Sequence, residues 1–254
     1  PETLLNGSGD FTASGVDHYL DNELTDEAKA MDVAVAANGS MYRKDKRGML
    51  PEMIIGLYNE RRTVKDDMLK LKQDYEKSKS KELSREINRL DNTQMAVKIL
   101  LNSLYGALGN QYFRYFELRI AEGITLSGQL SIKWAEKAMN EYLNKMLKSE
   151  EDYVIAIDTD SLYVDMNPLV KAVKPKDPVA FIDKACEEKI VPMLAKSYEK
   201  MNDRLNGFEN RMVMAREAIA DKGIWTAKKR YILNVYNNEG VQYAEPKLKI
   251  MGIE

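Results

Sequence analysis

Residues 153–164 read Tyr-Val-Ile-Ala-Ile-Asp-Thr-Asp-Ser-Leu-Tyr-Val, two apolar runs separated by a polar segment. This pattern is typical of two short buried strands joined by a tight turn. The turn holds Asp158 and Asp160 at the tip of the predicted hairpin. If the two carboxylates lie about 4 Å apart at an effective dielectric near 20, they repel by roughly 4 kcal/mol, which favours a raised pKa or a bound cation.

The residues of this tip alone leave two interpretations open. Carboxylates and a neighbouring hydroxyl are hard oxygen ligands that suit Mg²⁺, which takes carboxylates together with substrate phosphates. Asp, Thr and Ser are also ordinary turn residues that hydrogen-bond their own backbone. The stretch therefore predicts a hairpin with either a magnesium site or a simple polar turn at its tip.

The composition of the 254 residues, 44% hydrophobic and 31% charged, is that of an ordinary globular protein. The 38 basic and 40 acidic residues leave a formal net charge of −2, so local basic patches have to hold any polyanionic partner. One cysteine, Cys186, and one histidine, His18, exclude a disulfide framework and cysteine-rich or histidine-rich metal sites. No apolar run reaches the roughly 18 residues of a membrane span, and we expect a cytoplasmic protein.

Strand and helix patterns interleave along the chain. The runs Val33-Ala34-Val35-Ala36-Ala37 and Ser40-Met41-Tyr42-Arg43 flank Asn38-Gly39, which predicts a β-hairpin with a type I′ turn. Further strands are expected at 211–219, 231–236 and 241–244, with a turn at 237–240 between the last two.

Helical periodicity follows Pro51, a residue suited to the first position of a helix, and resumes after Ser78-Lys79-Ser80. Residues 50–110 therefore predict an antiparallel hairpin of two helices. Further helices are expected from about Ser127 to Lys148 and from Asp177-Pro178 onward, with a kink at Pro192. The mixture indicates an α+β fold, a mostly antiparallel sheet backed by helices, with the helical hairpin inserted into it.

One face of the second helix carries Lys98, Asn102 and Tyr105 at positions i, i+4 and i+7, followed by Gly106. A lysine can meet a phosphate, an aromatic ring can pack on a base or sugar, and glycine lets a flat ligand approach the backbone. The face therefore suits a nucleotide. A solvated lysine with Tyr105 in the core explains the same spacing.

Arg61 and Lys65 lie one turn apart on the first helix. Antiparallel pairing of the two helices would place them near Lys98, and converging cations favour a bound anion such as a triphosphate. The alternative is ion pairing with acids close in sequence, namely Glu60, Asp66 or Asp67.

The basic run Lys228-Lys229-Arg230-Tyr231 precedes a predicted strand. In an extended chain its alternate residues project to opposite sides and form a basic edge flanked by aromatic rings, which Lys247 and Lys249 extend. Such an edge suits a nucleic-acid backbone. A charged edge strand that blocks aggregation is the alternative.

Glu217 is an acid within the run Ala215-Arg216-Glu217-Ala218-Ile219 of a predicted strand. It is a candidate for a further carboxylate near a metal ion. An ion pair with Arg216 or Arg211 is the alternative.

The order of these motifs resembles family B DNA polymerases, and most of all those of the T-even bacteriophage type. The resemblance runs nearly end to end and covers the palm and the fingers of such an enzyme. The motifs that carry it are Asn102-Ser103-Leu104-Tyr105-Gly106-Ala107-Leu108-Gly109-Asn110, Asp158-Thr159-Asp160-Ser161, Arg216-Glu217-Ala218-Ile219-Ala220, Lys228-Lys229-Arg230-Tyr231 and residues 244–252.

The resemblance implies a role for each candidate residue. Asp160 would be the main ligand of two Mg²⁺ ions, with Asp158 a neighbouring carboxylate and Glu217 near the metal site. The expected contacts to the incoming dNTP are Lys98, Arg61, Asn102, Lys65, Tyr105 and Gly106. The expected contacts to the primer-template DNA are Lys228, Lys229, Arg230, Tyr231, Lys247 and Lys249.

The resemblance also implies a domain order of palm at 1–49, fingers at 50–110 and palm again at 111–254. Ala156-Ile157 replace the Tyr-Gly that usually precedes the first Asp of the hairpin motif, and Ala215 replaces a common Asp. Compared with such an enzyme, we expect the chain to lack the aspartate-bearing motif A, the amino-terminal domain, the exonuclease and the thumb. Pro1-Glu2-Thr3 resembles the stretch just after motif A, which suggests a piece of a longer or split polypeptide.

The function implied is template-directed addition of dNTP to a primer 3′-hydroxyl by two-metal-ion phosphoryl transfer. We expect the chain to be inactive without partner segments that supply motif A, the exonuclease and the thumb. Other replication proteins are further expected partners, in the cytoplasm of a host cell if the source is a virus, and no membrane is involved. The alternative is a non-catalytic nucleic-acid-binding or interaction module with a degenerate polymerase fold.

Overall fold

The computed structural model describes residues 4–6, 14–24 and 26–253. Its helices are α1 Ser14–Asp21, α2 Asp26–Ala30, α3 Met49–Lys77, α4 Lys81–Leu108, α5 Leu118–Leu147, α6 Asn167–Val173, α7 Pro178–Ala185 and α8 Val191–Arg204. Its strands are β1 Leu4–Asn6, β2 Val33–Val35, β3 Met41–Arg43, β4 Val154–Asp158, β5 Ser161–Val164, β6 Ala218–Ala227, β7 Arg230–Asn238 and β8 Val241–Met251. All strand pairs are antiparallel, and the predicted α+β class is confirmed.

The Pro1-Glu2-Thr3 stretch lies outside the described residues. Within the described part of the chain, no helix combines the length and the apolar character needed to cross a membrane.

The chain divides into two compact units, of which the first comprises the residues up to Met49 together with Tyr105–Lys176 and Ala185–Met214. Its main helix is α5, which packs against α1 and α8. The buried residues of α5 recur at helical spacing and form one apolar stripe. They include Ala121, Leu126, Leu130, Ala135, Met139 and Leu143.

Helix α5 begins well before the predicted start near Ser127. Glu117 caps it, since its side chain accepts a hydrogen bond from the backbone N–H of Arg119 at 3.3 Å and from the guanidinium at 2.8 Å. Glutamate is not among the residues that usually mark a helix start, so the sequence lacked the expected signal. Lys148 ends the helix in a left-handed conformation, with φ of 54°.

The predicted hairpin at 33–43 is confirmed, because Val33 faces Arg43 and Val35 faces Met41. Its predicted type I′ turn is wrong, since only Gly39 of the Asn-Gly pair has a positive φ, 75°. The loop is instead closed by hydrogen bonds from the Ala36 N–H to the Ser40 carbonyl and from the Gly39 N–H to the Ala36 carbonyl, both 2.9 Å. It is a longer loop that needs one left-handed residue rather than two.

The run from α7 to α8 contains a π-helical turn, Cys186–Ile190. Asp177 caps α7 as predicted, because its carboxylate accepts the Ala180 N–H at 3.0 Å. The π-helical turn lies just before Pro192, which has no N–H to donate and whose ring disfavours a regular preceding turn. This irregularity occurs where the kink was predicted. Helix α6 was not predicted.

The second unit comprises Leu50–Leu104, Asp177–Lys184 and Ala215–Glu254. Its sheet has the strand order β6-β7-β8. The strand predicted at 211–219 is wrong for most of its length, because β6 begins only at Ala218. β8 reaches Met251 and is longer than predicted.

The predicted break between the two long helices is confirmed. α3 ends at Lys77, and the hydroxyl of Ser80 caps α4 by accepting the Leu83 N–H at 3.1 Å. Pro51 lies in the first turn of α3 but not at its first position as predicted, because the helix already begins at Met49.

Candidate active site

The predicted hairpin between β4 and β5 is confirmed. Asp158 pairs with Ser161 across the hairpin, and Thr159 and Asp160 form the turn. Thr159 has a positive φ of 57°, and the Asp160 N–H donates to the Asp158 carbonyl at 2.7 Å. Asp158 is half-buried and Asp160 is exposed.

Both carboxylates make only local hydrogen bonds among the described residues. Asp158 accepts the hydroxyl of Thr159 at 3.0 Å, and Asp160 accepts that of Ser161 at 3.4 Å. Neither carboxylate forms an ion pair within the part of the chain that the structure describes. The tip therefore presents oxygen ligands that no lysine or arginine of the described residues neutralises.

Helix α5 positions the start of this hairpin through two asparagines one turn apart. The Asn140 side chain accepts the N–H of Tyr153 at 2.9 Å and donates to Asp152 at 2.8 Å. The Asn144 side chain accepts the Glu151 N–H at 2.9 Å and donates to its carbonyl at 2.8 Å. This support was not predicted from the sequence, although the i, i+4 spacing of the two asparagines is a signal for it.

The expectation that both strands of this hairpin are buried is wrong. Val154 is buried, but Ile155 is 55% exposed and Ile157 is 37% exposed. Side chains alternate between the two faces of a strand, and this two-stranded sheet has only one face against α5. The other face is open to solvent.

The tip fits part of a magnesium site. Mg²⁺ is usually bound by one or two carboxylates with water and substrate phosphates completing its shell, and Asp158 and Asp160 provide two such carboxylates. Across residues 4–6, 14–24 and 26–253, no group of three histidine, cysteine or acidic side chains comes together to hold a metal. These two carboxylates thus suit an ion that takes its remaining ligands from elsewhere.

The predicted nucleotide face lies on α4. Lys98, Asn102, Tyr105 and Gly106 are all exposed on this helix. A methyl group added at Gly106 would meet nothing within 4 Å, so the backbone there is open to a ligand. The Tyr105 hydroxyl shares a hydrogen bond with that of Thr125 at 2.7 Å, which orients the ring.

On α3, Arg61 and Lys65 are both half-buried. Lys65 forms an ion pair with Glu239 rather than with the acids close to it in sequence. The Nε of Arg61 is buried and has no hydrogen-bond partner among the described residues. Glu239 was not predicted as the partner of Lys65, because the two residues lie far apart in the chain.

Glu217 lies just before β6 and pairs with Lys249 at 2.5 Å, not with Arg216 or Arg211. Burial alone would lower the pKa of Lys249, but the hydrogen bond to Glu217 and its charge raise that pKa above its ordinary value. Arg216 instead pairs with Asp183.

The basic run occupies a turn instead of the extended edge that was predicted. Lys228 and Lys229 join β6 to β7, with Lys229 at a positive φ of 63°. Both lysines and Arg230 are exposed, whereas Tyr231 is buried. The expected alternation of side chains along an extended strand is therefore wrong, since the turn gathers the two lysines at one tip.

Lys247 and Lys249 both have acidic partners within the second unit. Lys247 pairs with Glu76 at 2.5 Å and lies over the ring of Tyr243, 4.0 Å from its centre. Lys249 pairs with Glu217 as described. Their positive charges are thus largely compensated, whereas Lys228 and Lys229 form no ion pair with any residue that the structure describes.

The chain has clear relatives among known proteins. A family model described as DNA polymerase family B matches residues 12–254. Over its whole length the chain is 35% identical to the DNA-directed DNA polymerase of Escherichia phage RB69 and 34% identical to that of Enterobacteria phage T4, of which it spans 34% each. A DNA polymerase beta of African swine fever virus is 27% identical over 74% of the chain. The chain therefore belongs to DNA polymerase family B, with similarity to the T-even phage type as its motifs predicted.

Proposed function

We propose that this chain is the palm and fingers part of a replicative DNA polymerase, which adds dNTP to the 3′-hydroxyl of a primer as the template directs. The observation that supports this most is the tip of the β4–β5 hairpin, where Asp158 and Asp160 lie without cationic partners among the described residues. Its phage relatives are DNA-directed DNA polymerases. The cytoplasm of a phage-infected host is the proposed place of action.

Each group of residues has a proposed task. Asp160, assisted by Asp158, holds Mg²⁺, and Glu217 is a candidate for a further carboxylate of the metal site. Bound Mg²⁺ supplies polarisation of the primer hydroxyl and neutralisation of the triphosphate. Lys98, Asn102, Arg61 and Lys65 orient the triphosphate, and Tyr105 and Gly106 contact the nascent base pair. Lys228 and Lys229 bind the phosphates of the primer-template, with Arg230, Tyr231, Lys247 and Lys249 nearby.

We propose further that the chain needs a partner polypeptide for turnover. The chain spans 34% of the phage polymerases, and two carboxylates alone do not complete a two-metal site. The remaining polymerase segments, which carry motif A, the exonuclease and the thumb, are the proposed partners. Other replication proteins are further candidates.

Primer extension tests the proposal. The chain is mixed with a separately produced polypeptide that carries motif A, and elongation of a labelled primer is followed with Mg²⁺ present. We expect extension with both polypeptides and none with either alone. Failure with every such partner favours the alternative of a non-catalytic nucleic-acid-binding or interaction module.

Asp160→Asn sharpens this test. We expect it to abolish extension by the reassembled enzyme, because the amide removes the charge that holds the metal, while far-UV circular dichroism and thermal unfolding remain unchanged. Asp165→Asn, in the segment after β5, is the matched control. Near-normal turnover by the Asp160→Asn variant contradicts the assignment.

A further inference from the structure

The turn between β7 and β8 has an unusual residue at its first central position. Glu239 and Gly240 connect Asn238 to Val241, which face each other across the hairpin. Both turn residues have positive φ, 49° and 87°, as a type I′ turn requires. Asn, Asp and Gly are favoured at the first of these positions and Glu is not. The backbone conformation therefore does not explain a glutamate at this position. The explanation lies in the contacts of its side chain.

The backbone of this turn is held firmly in place. Asn237 is buried, and its side-chain oxygen accepts the Gly240 N–H at 3.2 Å and the Arg216 guanidinium at 2.6 Å. The Glu239 N–H donates to the Glu217 carbonyl at 2.5 Å. Glu239 is therefore presented from a fixed position.

The Glu239 side chain is directed to α3 within the same unit, where it pairs with Lys65. Two further contacts fix the helix against this hairpin. Gln73 accepts the Gln242 N–H at 2.9 Å, and Glu76 accepts the Lys247 ammonium at 2.5 Å. The side chains of Lys65 and Glu239 are 30% and 28% exposed, so the pair is partly shielded from water.

We propose that Glu239 is a displaceable counter-ion of Lys65 and thereby sets the affinity of this site for triphosphates. The inference rests on the proposed function, in which Lys65 contacts the triphosphate. Before a nucleotide binds, the carboxylate holds the ammonium in place and shields its charge. A triphosphate carries more negative charge than a carboxylate and displaces it, and the free energy of breaking the ion pair lowers the apparent affinity for the triphosphate. Arg61, one turn away on α3, supplies a second cation on the same helix.

Binding of inorganic tripolyphosphate to the chain tests the proposal without any turnover. Isothermal titration calorimetry in low salt without Mg²⁺ compares the unsubstituted chain with Glu239→Gln and Glu239→Asn, of which the second suits the left-handed backbone. We expect both variants to bind tripolyphosphate roughly two- to five-fold more tightly, the range for a partly exposed ion pair.

Two controls separate this effect from a change of net charge or of structure. Glu245→Gln removes the same charge from an exposed position of β8 and should leave tripolyphosphate affinity unchanged. In a Lys65→Gln background, Glu239→Gln should bring no gain. Thermal unfolding confirms that each variant is folded.

Any of four results overturns the proposal: unchanged or weaker binding by both Glu239 variants, an equal gain from Glu245→Gln, a gain that persists without Lys65, or no tripolyphosphate binding by any variant. If the Lys65–Glu239 ion pair only stabilises the fold, the first of these results is expected. These binding measurements do not use primer extension. A failure of the counter-ion role can therefore be distinguished from a failure of the proposed polymerase function.

Discussion

Asp158 and Asp160 are two residues apart, yet the hairpin gives them different surroundings. Asp158 ends β4, where strand pairing with Ser161 fixes its backbone and the side chain is half-buried. Asp160 lies in the turn and is exposed. An exposed carboxylate on a tight turn can bind an ion with little loss of protein contacts, which supports the proposal of Asp160 as the main metal ligand.

Lys98 is the residue whose removal best tests the nucleotide face of α4. It is exposed, and no ion pair engages it within the described residues. If it holds a phosphate, Lys98→Ala removes a charge-assisted hydrogen bond worth about 1.5–3 kcal/mol. We expect kcat/KM for dNTP to fall roughly 10- to 100-fold in the reassembled enzyme.

Single-nucleotide incorporation kinetics measure this effect, and Lys196→Ala on α8 is the matched control. Unchanged kinetics for Lys98→Ala would show that the lysine is only a solvated residue of an amphipathic helix.

At the scale of elements, the loop between β2 and β3 is buried and packs closely against neighbouring helices. Asn38 is fully buried, donates to the Arg119 carbonyl at 2.9 Å and accepts the Ser40 N–H at 3.2 Å. A side chain at Gly15 would come within 2.2 Å of the Ala37 carbonyl oxygen, and one at Gly123 within 3.1 Å of the Asn38 side-chain oxygen. Two glycines thus allow α1 and α5 to approach this loop.

Asn38→Ala should therefore destabilise the protein by about 1–3 kcal/mol, because it leaves buried backbone groups without partners. Urea unfolding followed by circular dichroism measures the change. The control is Asn88→Ala, at an exposed position of α4. It should leave the free energy of unfolding nearly unchanged or slightly raised. Equal effects of the two substitutions would mean that the loop contributes no more than an ordinary surface turn.

The contact between α3 and β8 depends on pH through Glu76. Its side chain is 11% exposed and pairs with Lys247 and Lys79. The hydrogen bond from Lys247 lowers the pKa of Glu76 below its ordinary value of 4.5. The stabilisation from this pair is therefore complete above about pH 4.5 and is lost as the pH falls through the lower pKa of the folded state.

Glu76→Gln should cost about 1 kcal/mol in the free energy of unfolding at neutral pH, and this cost should shrink as the pH falls below about 4.5. Urea titrations across that range measure it, with Glu60→Gln, exposed on α3, as the control. A cost that stays constant in acid would show that the carboxylate charge of Glu76 is not the cause.

At the scale of the whole molecule, charge is balanced but unevenly placed. The formal net charge is −2, so the proposed DNA binding cannot rest on a general positive field. Lys247 and Lys249 are compensated by Glu76 and Glu217, whereas Lys228 and Lys229 are exposed at one tip. DNA phosphates should therefore be bound chiefly at the β6–β7 turn.

Replacing Lys228 and Lys229 together by Gln should weaken primer-template binding to a similar degree for all sequences. The slope of log affinity against log salt concentration should fall in magnitude by about two, one for each lost phosphate contact. Fluorescence anisotropy at several salt concentrations measures this, with Lys196→Gln and Lys200→Gln on α8 as the control pair. An unchanged slope would place the DNA contacts elsewhere.

The sequence by itself determined the features that depend on neighbouring residues. Alternating and helical periodicity located the long helices and the β4–β5 hairpin, and Asp177 was identified as a cap because its N–H partner is three residues away. The order of motifs was sufficient to indicate family B, since short functional stretches keep their residue types and spacing. The Asp158–Asp160 tip was predicted for the same local reason.

Only the tertiary structure decided the features that join distant parts of the chain. Three such contacts join residues far apart in sequence. They are the Lys65–Glu239 ion pair, the Lys247–Glu76 ion pair and the hydrogen bond from the buried Asn38 side chain to the Arg119 carbonyl. Residue spacing carries no information on such partners, because folding alone brings them together. The turn at Lys228-Lys229 was missed for a related reason: a basic run suits an extended edge and a hairpin tip equally, and pairing of β6 with β7 decides between them.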